Sequence, residues 1–182
     1  MTEKKEKNMH NKIAIIFSIF LMSCDPDIQY IKYNSIDGEA WHKDSIQYFN
    51  FEIESVEKAT YNSYINLRIN NDYKFNNIFL IVSLSNSSQL ISKDTLEFTL
   101  ADKRGNLLGE KSINIIDNSL IHKENISLDH NKAYSVSVEH AMRIINKVKP
   151  LEHLEGVIDV GYKVEKVNWN WKKRKIIISC IQ

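Results

Sequence analysis

The chain is short of the residues that most site chemistry requires. Its 182 residues hold two cysteines, Cys24 and Cys180, and five glycines. There is no Cys-x-x-Cys, so neither a zinc ribbon nor a local redox pair is encoded. The six histidines, His10, His42, His122, His130, His140 and His153, form no His-x-His or His-Glu-x-x-His arrangement. A Gly-x-Ser-x-Gly elbow and a Gly-rich phosphate loop are also absent. Carboxylates are plentiful, but no pair stands out as acid and base. These absences argue against an enzyme, a metal, a cofactor and a small-molecule substrate. His122 and His130 have the spacing to meet across a hairpin, but surface positions are the simpler expectation.

The leader lacks an apolar run long enough to cross a bilayer. Ile13 to Met22 is apolar except for Ser18, half of the roughly 20 residues a spanning helix needs. Lys4, Lys5, Lys7 and Lys12 precede it and Ser23-Cys24 follows. A basic start, a short apolar stretch and a small residue before the cut describe a secretory signal peptide. Leu21-Met22-Ser23-Cys24 resembles a bacterial lipobox. In that pathway the Cys24 thiol takes a diacylglycerol and its freed amine is acylated, which anchors a protein without a span. The mature chain, residues 24–182, then retains Cys180 alone and must be stable without an internal disulfide.

Charge is unevenly placed. Residues 24–165 carry 15 basic and 21 acidic residues, a net of −6; residues 166–182 carry five basic residues and no acid. An acidic body is a poor nucleic-acid surface. The basic tail suits either an anionic membrane surface or the acidic body itself.

Residues 24–44 have little periodicity and read as a lipidated spacer. Beyond them, period-two alternation predicts half-buried strands at Phe49–Ile53, Ile65–Ile69, Leu96–Leu100, Tyr134–Val138 and Ile158–Val164. The continuous run Ile78–Val82 predicts a central strand covered on both faces. Short strands are expected at Ile113–Ile116 and Ile121–Leu128, separated by turn-forming Asp117-Asn118. Asp102 to Asn106 reads as a turn with Gly105 at positive φ, and Pro150 to Leu154 as one helical turn. About seven or eight strands in residues 45–166 suggest an all-β, antiparallel two-sheet sandwich. Residues 167–182 form a basic tail or an extra edge strand. In it Val167, Trp169 and Trp171 alternate with asparagine before Lys172-Lys173-Arg174-Lys175.

Arg68 and Arg143 fall in or beside strand patterns. Each reads either as a ligand-binding guanidinium or, preferably, as a structural partner of Asp72, Asp102 or Asp159. Trp41 is either a sugar-stacking platform or a plug at the end of the core.

Further residues carry a family resemblance. Trp41-His42-Lys43-Asp44 leads to Phe49-Asn50-Phe51. Leu67-Arg68 leads to Asp72-Tyr73-Lys74-Phe75-Asn76-Asn77-Ile78-Phe79-Leu80. Leu100-Ala101-Asp102, Gly105 and Leu108-Gly109 follow, then Ala141-Met142-Arg143 and Gly156-Val157-Ile158-Asp159-Val160-Gly161. In this order behind a lipobox cysteine, the chain resembles the GldH family of gliding-motility lipoproteins from the Bacteroidota, over roughly Cys24 to Lys166. Two departures are Lys132-Ala133, where a glycine is expected before Tyr134, and the tail beyond Val167. The resemblance implies a non-enzymatic envelope lipoprotein, expected at the outer membrane. It implies partners among proteins of the gliding and linked secretion machinery. It transfers no catalytic residue, only Cys24. Asp44-Ser45-Ile46 and Asp94-Thr95-Leu96 look like the Asp-Ser/Thr-aliphatic sites glycosylated on exported proteins of that group, making Ser45 and Thr95 candidate O-glycosylation positions. A carbohydrate-binding surface lipoprotein is the alternative from another class.

Overall fold

Where apolar residues alternate in the sequence, the backbone is extended and one face of it is buried. A computed structural model describes residues 27–54, 59–143 and 149–167. In chain order the strands are β1 (Ile28–Ser35), β2 (Ala40–His42), β3 (Gln47–Glu52), β4 (Thr60–Ile69), β5 (Asn77–Asn86) and β6 (Leu90–Thr99). They continue with β7 (Glu110–Ser112), β8 (Ile115–Ser127), β9 (Ala133–His140), β10 (His153–Glu155) and β11 (Val157–Lys166). All pairings are antiparallel. One sheet has the order β1-β11-β4-β8-β7, the second β3-β9-β5-β6, and a small β2-β10 pair lies apart from both. The expected all-β sandwich is therefore the fold.

The inner faces meet through aromatic rings. Phe49 lies 6.0 Å from Tyr162, and Phe51 lies 5.1, 5.5 and 6.1 Å from Tyr30, Tyr134 and Tyr162. Around this column are Ile65, Leu67, Ile78, Leu80, Val82, Val136, Val138 and Val160, all without solvent exposure. Offset rings add directional preference to the area they bury.

The sandwich has two ends. At one end lie Ile28, Lys166, Thr60, Ser127 and the β5–β6 hairpin. At the other end β2 and β10 pair Trp41 with Leu154, both fully buried. The indole Nε1–H donates to the Ser45 carbonyl at 2.7 Å, so Trp41 plugs this end and is no exposed platform. Gly156 turns the chain here with φ of 81°. A Cβ on it would come within 2.7 Å of the Asp72 carbonyl carbon, so only glycine permits the crossing.

Several expectations are corrected. Residues 28–42 are not a featureless spacer: β1 is the edge strand of the larger sheet and β2 closes the core. Their alternation is weak because β1 is only half-buried along its length. Asp117-Asn118 does not turn but lies within the 13-residue β8, held there by cross-strand partners. The turn is instead Ile113-Asn114, between the paired Ser112 and Ile115. The stretch from Pro150 holds β10 in place of a helical turn. β5 is central in its sheet, but Phe79 and Ile81 are half-exposed, so only one face is covered. The eleven strands among the described residues exceed the expected number because three have only three residues. The Asp102 turn is as expected: Asp102 Oδ1 accepts from the Arg104 and Asn106 amides, and Gly105 has φ of 83°.

Trp41→Ala should lower unfolding free energy by about 3–5 kcal/mol, the usual cost of removing a buried aromatic. Urea denaturation followed by tyrosine fluorescence measures it, and a loss under about 1 kcal/mol contradicts the plug role.

Candidate functional site

Cys24 lies outside the described residues, as does the tail from Asn168 onward. Ile28 begins β1 only four positions after Cys24, so the candidate lipid attachment is close to the folded body. At the other terminus, the Val167 amide donates to the Thr60 carbonyl at 2.8 Å. Both chain ends thus leave the same end of the sandwich.

The outer face of the larger sheet carries a polar cluster centred on Arg68. Antiparallel register places Arg68 opposite Asp117 on one side and Asp159 on the other. The Nε–H donates to Asp117 at 2.9 Å and an Nη–H to Asp159 at 3.4 Å. Ser35 Oγ–H donates to the other Asp159 oxygen at 2.7 Å. The guanidinium lies 4.1 Å from the centre of the Tyr33 ring, within reach of a cation–π attraction. Tyr33 in turn lies flat across Gly161, where a Cβ would approach its ring to 2.7 Å. Asn66 donates to the Tyr33 hydroxyl at 3.0 Å and accepts from Ser119 at 3.2 Å. The hydrogen bond to Asp117 raises the Arg68 pKa further above its ordinary value. One arginine therefore ties β1, β11, β4 and β8 together.

Asp159 lies beside Arg68 at 3.4 Å, and Asp72 does not. Asp72 is exposed and lies 3.9 Å from Lys74. Asp102 is spent on its own turn. Arg143 is exposed, bridging Pro150 through its backbone, and it makes no side-chain ion pair among the described residues. Asp117, Tyr33 and Asn66 escaped the sequence reading because their neighbourhood depends on strand order, which local spacing does not encode.

A second cluster joins the two sheets. His122 on β8 is buried, contrary to the expected surface position, and His130 is not near it. Its Nδ1 lies 2.9 Å from the Tyr162 hydroxyl and 3.5 Å from Ser63 Oγ. Its Nε2 lies 3.4 Å from Asp94 on β6, which also accepts from Lys123 at 2.9 Å. Burial depresses the His122 pKa, outweighing the pull of Asp94. Burial alone would raise the Asp94 carboxyl, but its hydrogen bonds, led by that from Lys123, hold it below the usual value. His140 is likewise depressed by burial, although its Nε2 reaches the Trp41 carbonyl at 3.0 Å.

Ser63, the hydroxyl beside His122 with Ser–His–Asp contacts, is fully buried, and no group of three metal-ligating residues occurs among the described residues. Ser45 and Thr95 are both exposed. Tyr48 is an exposed aromatic on the outer face of the smaller sheet, but among the described residues no row of aromatics continues from it. A polar groove of about 420 Å³ lies at the Trp41 end, lined among others by Tyr73, Phe75, Asn106, Lys111 and Ile113.

The matched region of this chain coincides with the sandwich. A model of the GldH lipoprotein family matches residues 29–164. The chain belongs to the GldH lipoprotein family. It is 38% identical over 154 residues to the gliding motility lipoprotein GldH of Flavobacterium johnsoniae, covering 85% of this chain and 94% of that one. It is also 38% identical over 153 residues to the gliding motility lipoprotein GldH homolog of Christiangramia forsetii, covering 83% and 92%. Among solved structures, dimeric latent PorU from Porphyromonas gingivalis is similar over 79% of this chain and 13% of its own, with 8% identity. The TM-score of that match is 0.32. The family match starts inside β1 and ends inside β11, the two strands that Tyr33 and Gly161 lock together.

Arg68→Ala should cost about 1–2 kcal/mol. This is less than a fully buried pair would lose, because the guanidinium is about one-third exposed. Urea denaturation of the variant checks it, with Arg143→Ala expected to stay within about 0.5 kcal/mol of wild type. A second outcome concerns pH. The unfolded chain takes up protons on His122 and His140 near 6.5, where the folded chain does not. Stability should therefore be complete above that pH and decline as pH falls through the depressed folded values. Unfolding curves at fixed salt between neutral and mildly acidic pH should show the decline, and His122→Gln should shrink it.

Proposed function

We propose that this protein is a lipid-anchored, non-enzymatic component of the outer membrane that supports gliding motility and the linked secretion machinery through protein contacts. The observation carrying this reading is the 38% identity to a gliding motility lipoprotein across nearly the whole of that relative. Cys24 is the lipidated residue in this reading. Arg68, Asp117 and Asp159 are structural, shaping the sheet face that partners meet. The exposed side chains of Leu108 and Ile113 at the end far from Cys24 suit contacts with envelope proteins. Ser45 and Thr95 are accessible to a glycosylating enzyme from the solvent side.

The test is complementation in Flavobacterium johnsoniae lacking its own GldH. Wild-type protein should restore colony spreading and secretion, incorporate labelled palmitate and fractionate with the outer membrane. Cys24→Ala should lose the label and fail to restore spreading. Its unchanged labelling, or a wild-type chain that restores neither phenotype, would overturn the reading. Intact mass of the purified lipoprotein reports glycans: a mass explained by residues 24–182 plus acyl chains alone removes Ser45 and Thr95 as modified positions.

A further inference from the structure

Two exposed aliphatic residues lie at the end of the sandwich from which both chain termini depart. The β5–β6 hairpin is fixed at its tip by Asn86. Its side chain accepts the amides of Ser88 and Gln89 at 2.9 Å each, and its own amide donates to the Gln89 carbonyl at 3.0 Å. The register then slips: Ser85 pairs with Leu90 but Leu84 with Ser92, leaving Ile91 as an extra residue. Such a bulge breaks the in–out alternation of a strand. As a result, consecutive Leu90 and Ile91 are both exposed, at 58% and 45%. An edge strand normally carries polar residues at such positions.

Position relative to Cys24 gives this pair a meaning. Ile28 follows Cys24 by four positions, so a lipid on Cys24 holds the start of β1 within about 14 Å of the bilayer surface. The hairpin belongs to the same end. Tyr30 of β1 packs on Phe51, Phe51 is in register with Tyr134, and Tyr134 with Asn86. From β3 to β6 is three strand spacings, about 14 Å. The opposite end, with Ile113 at 98% exposure, lies beyond the eight residues of β1, a length of about 26 Å. A tether this short cannot bring that far end to the lipid while the near end stays free.

We infer that the β5–β6 hairpin is a second membrane contact, with Leu90 and Ile91 seated at the boundary between headgroups and acyl chains of the leaflet that holds the Cys24 lipid. This inference rests on the lipidation of Cys24 in the proposed function. It fixes the orientation of the domain: the Leu90–Ile91 end faces the lipid, and the Ile113 end and its polar groove face away. Small apolar contacts that would not hold a free protein on a membrane suffice once an anchor keeps them beside it, because the second contact is then intramolecular.

The test uses the full lipoprotein, purified with its lipid and reconstituted into phosphatidylethanolamine–phosphatidylglycerol vesicles. Ile91→Cys and Ile113→Cys, each in a Cys180→Ser background, are labelled with an environment-sensitive dye. Nitroxide-bearing lipids and aqueous iodide then serve as quenchers. The inference expects several-fold stronger lipid quenching at position 91 than at 113, with the reverse order for iodide. It also expects that Leu90→Ser beside Ile91→Cys weakens the lipid quenching while the protein still floats with the vesicles. Acylated protein that floats but shows equal lipid quenching at both positions overturns this inference alone. A label at 91 shielded from iodide yet untouched by lipid nitroxides shows a protein cover, a second copy or another partner, and overturns it too. An unacylated Cys24 with no flotation overturns both this inference and the reading beneath it.

Discussion

The fold depends on pressing two amphipathic sheets together with no covalent cross-link between them. The central contact is the aromatic column in which Phe49 and Phe51 of one sheet meet Tyr162 and Tyr30 of the other. Burial of apolar area supplies the drive, and the rings supply register, since a one-residue slip of β3 would send Phe49 and Phe51 to solvent and Tyr48 and Asn50 inward. The placement of polar groups follows from this. His122 and Tyr162 can be buried because they satisfy one another, and Asp94 reaches them from the opposite sheet.

The strands with strong alternation were legible because their inner faces are dry and their outer faces wet: β3, β4, β9 and β11 all follow the pattern seen in the residues. The weaker readings fail for a common reason. β1 is an edge strand, wetted on more than one side, so its apolar period is weak. Asp117 reads as a turn former when taken alone, yet Arg68 in register beside it rewards an extended backbone. Arg68 was legible as structural and Asp159 as one of its candidate partners, but Asp117 was not, because strand order and not local spacing brings it from 49 residues away. Arg143 misled in the opposite sense: a charge beside a strand at a sheet's end meets water, and needs no partner.

The family match from 29 to 164 runs from inside β1 to inside β11. Only residues 25–28 lie between Cys24 and the start of that match, which leaves no long leash between the proposed anchor and the body. Two ends with different surfaces result. One bears both chain exits and an aliphatic hairpin; the other bears a Trp-plugged cap, a polar groove and the exposed Ile113. With the proposed lipid on Cys24, so short a connection presents one end outward, whatever meets it there.

The position of β1 also has a mechanical consequence. It is an edge strand whose first residue follows the proposed anchoring cysteine by four positions in the chain, and its seven paired positions with β11 run along its length. Tension between a fixed lipid and a load gripping the far end acts parallel to the strand. The hydrogen bonds are then strained in shear, together, instead of being peeled open one after another. Near the far end of the same strand, Tyr33 is wedged over Gly161 beneath the Arg68 guanidinium, a latch that must be dragged across its neighbours before β1 can slide. A weakly patterned strand at the sheet's margin is thereby the element through which force would enter the domain, and its bonding geometry is the one that best resists rupture.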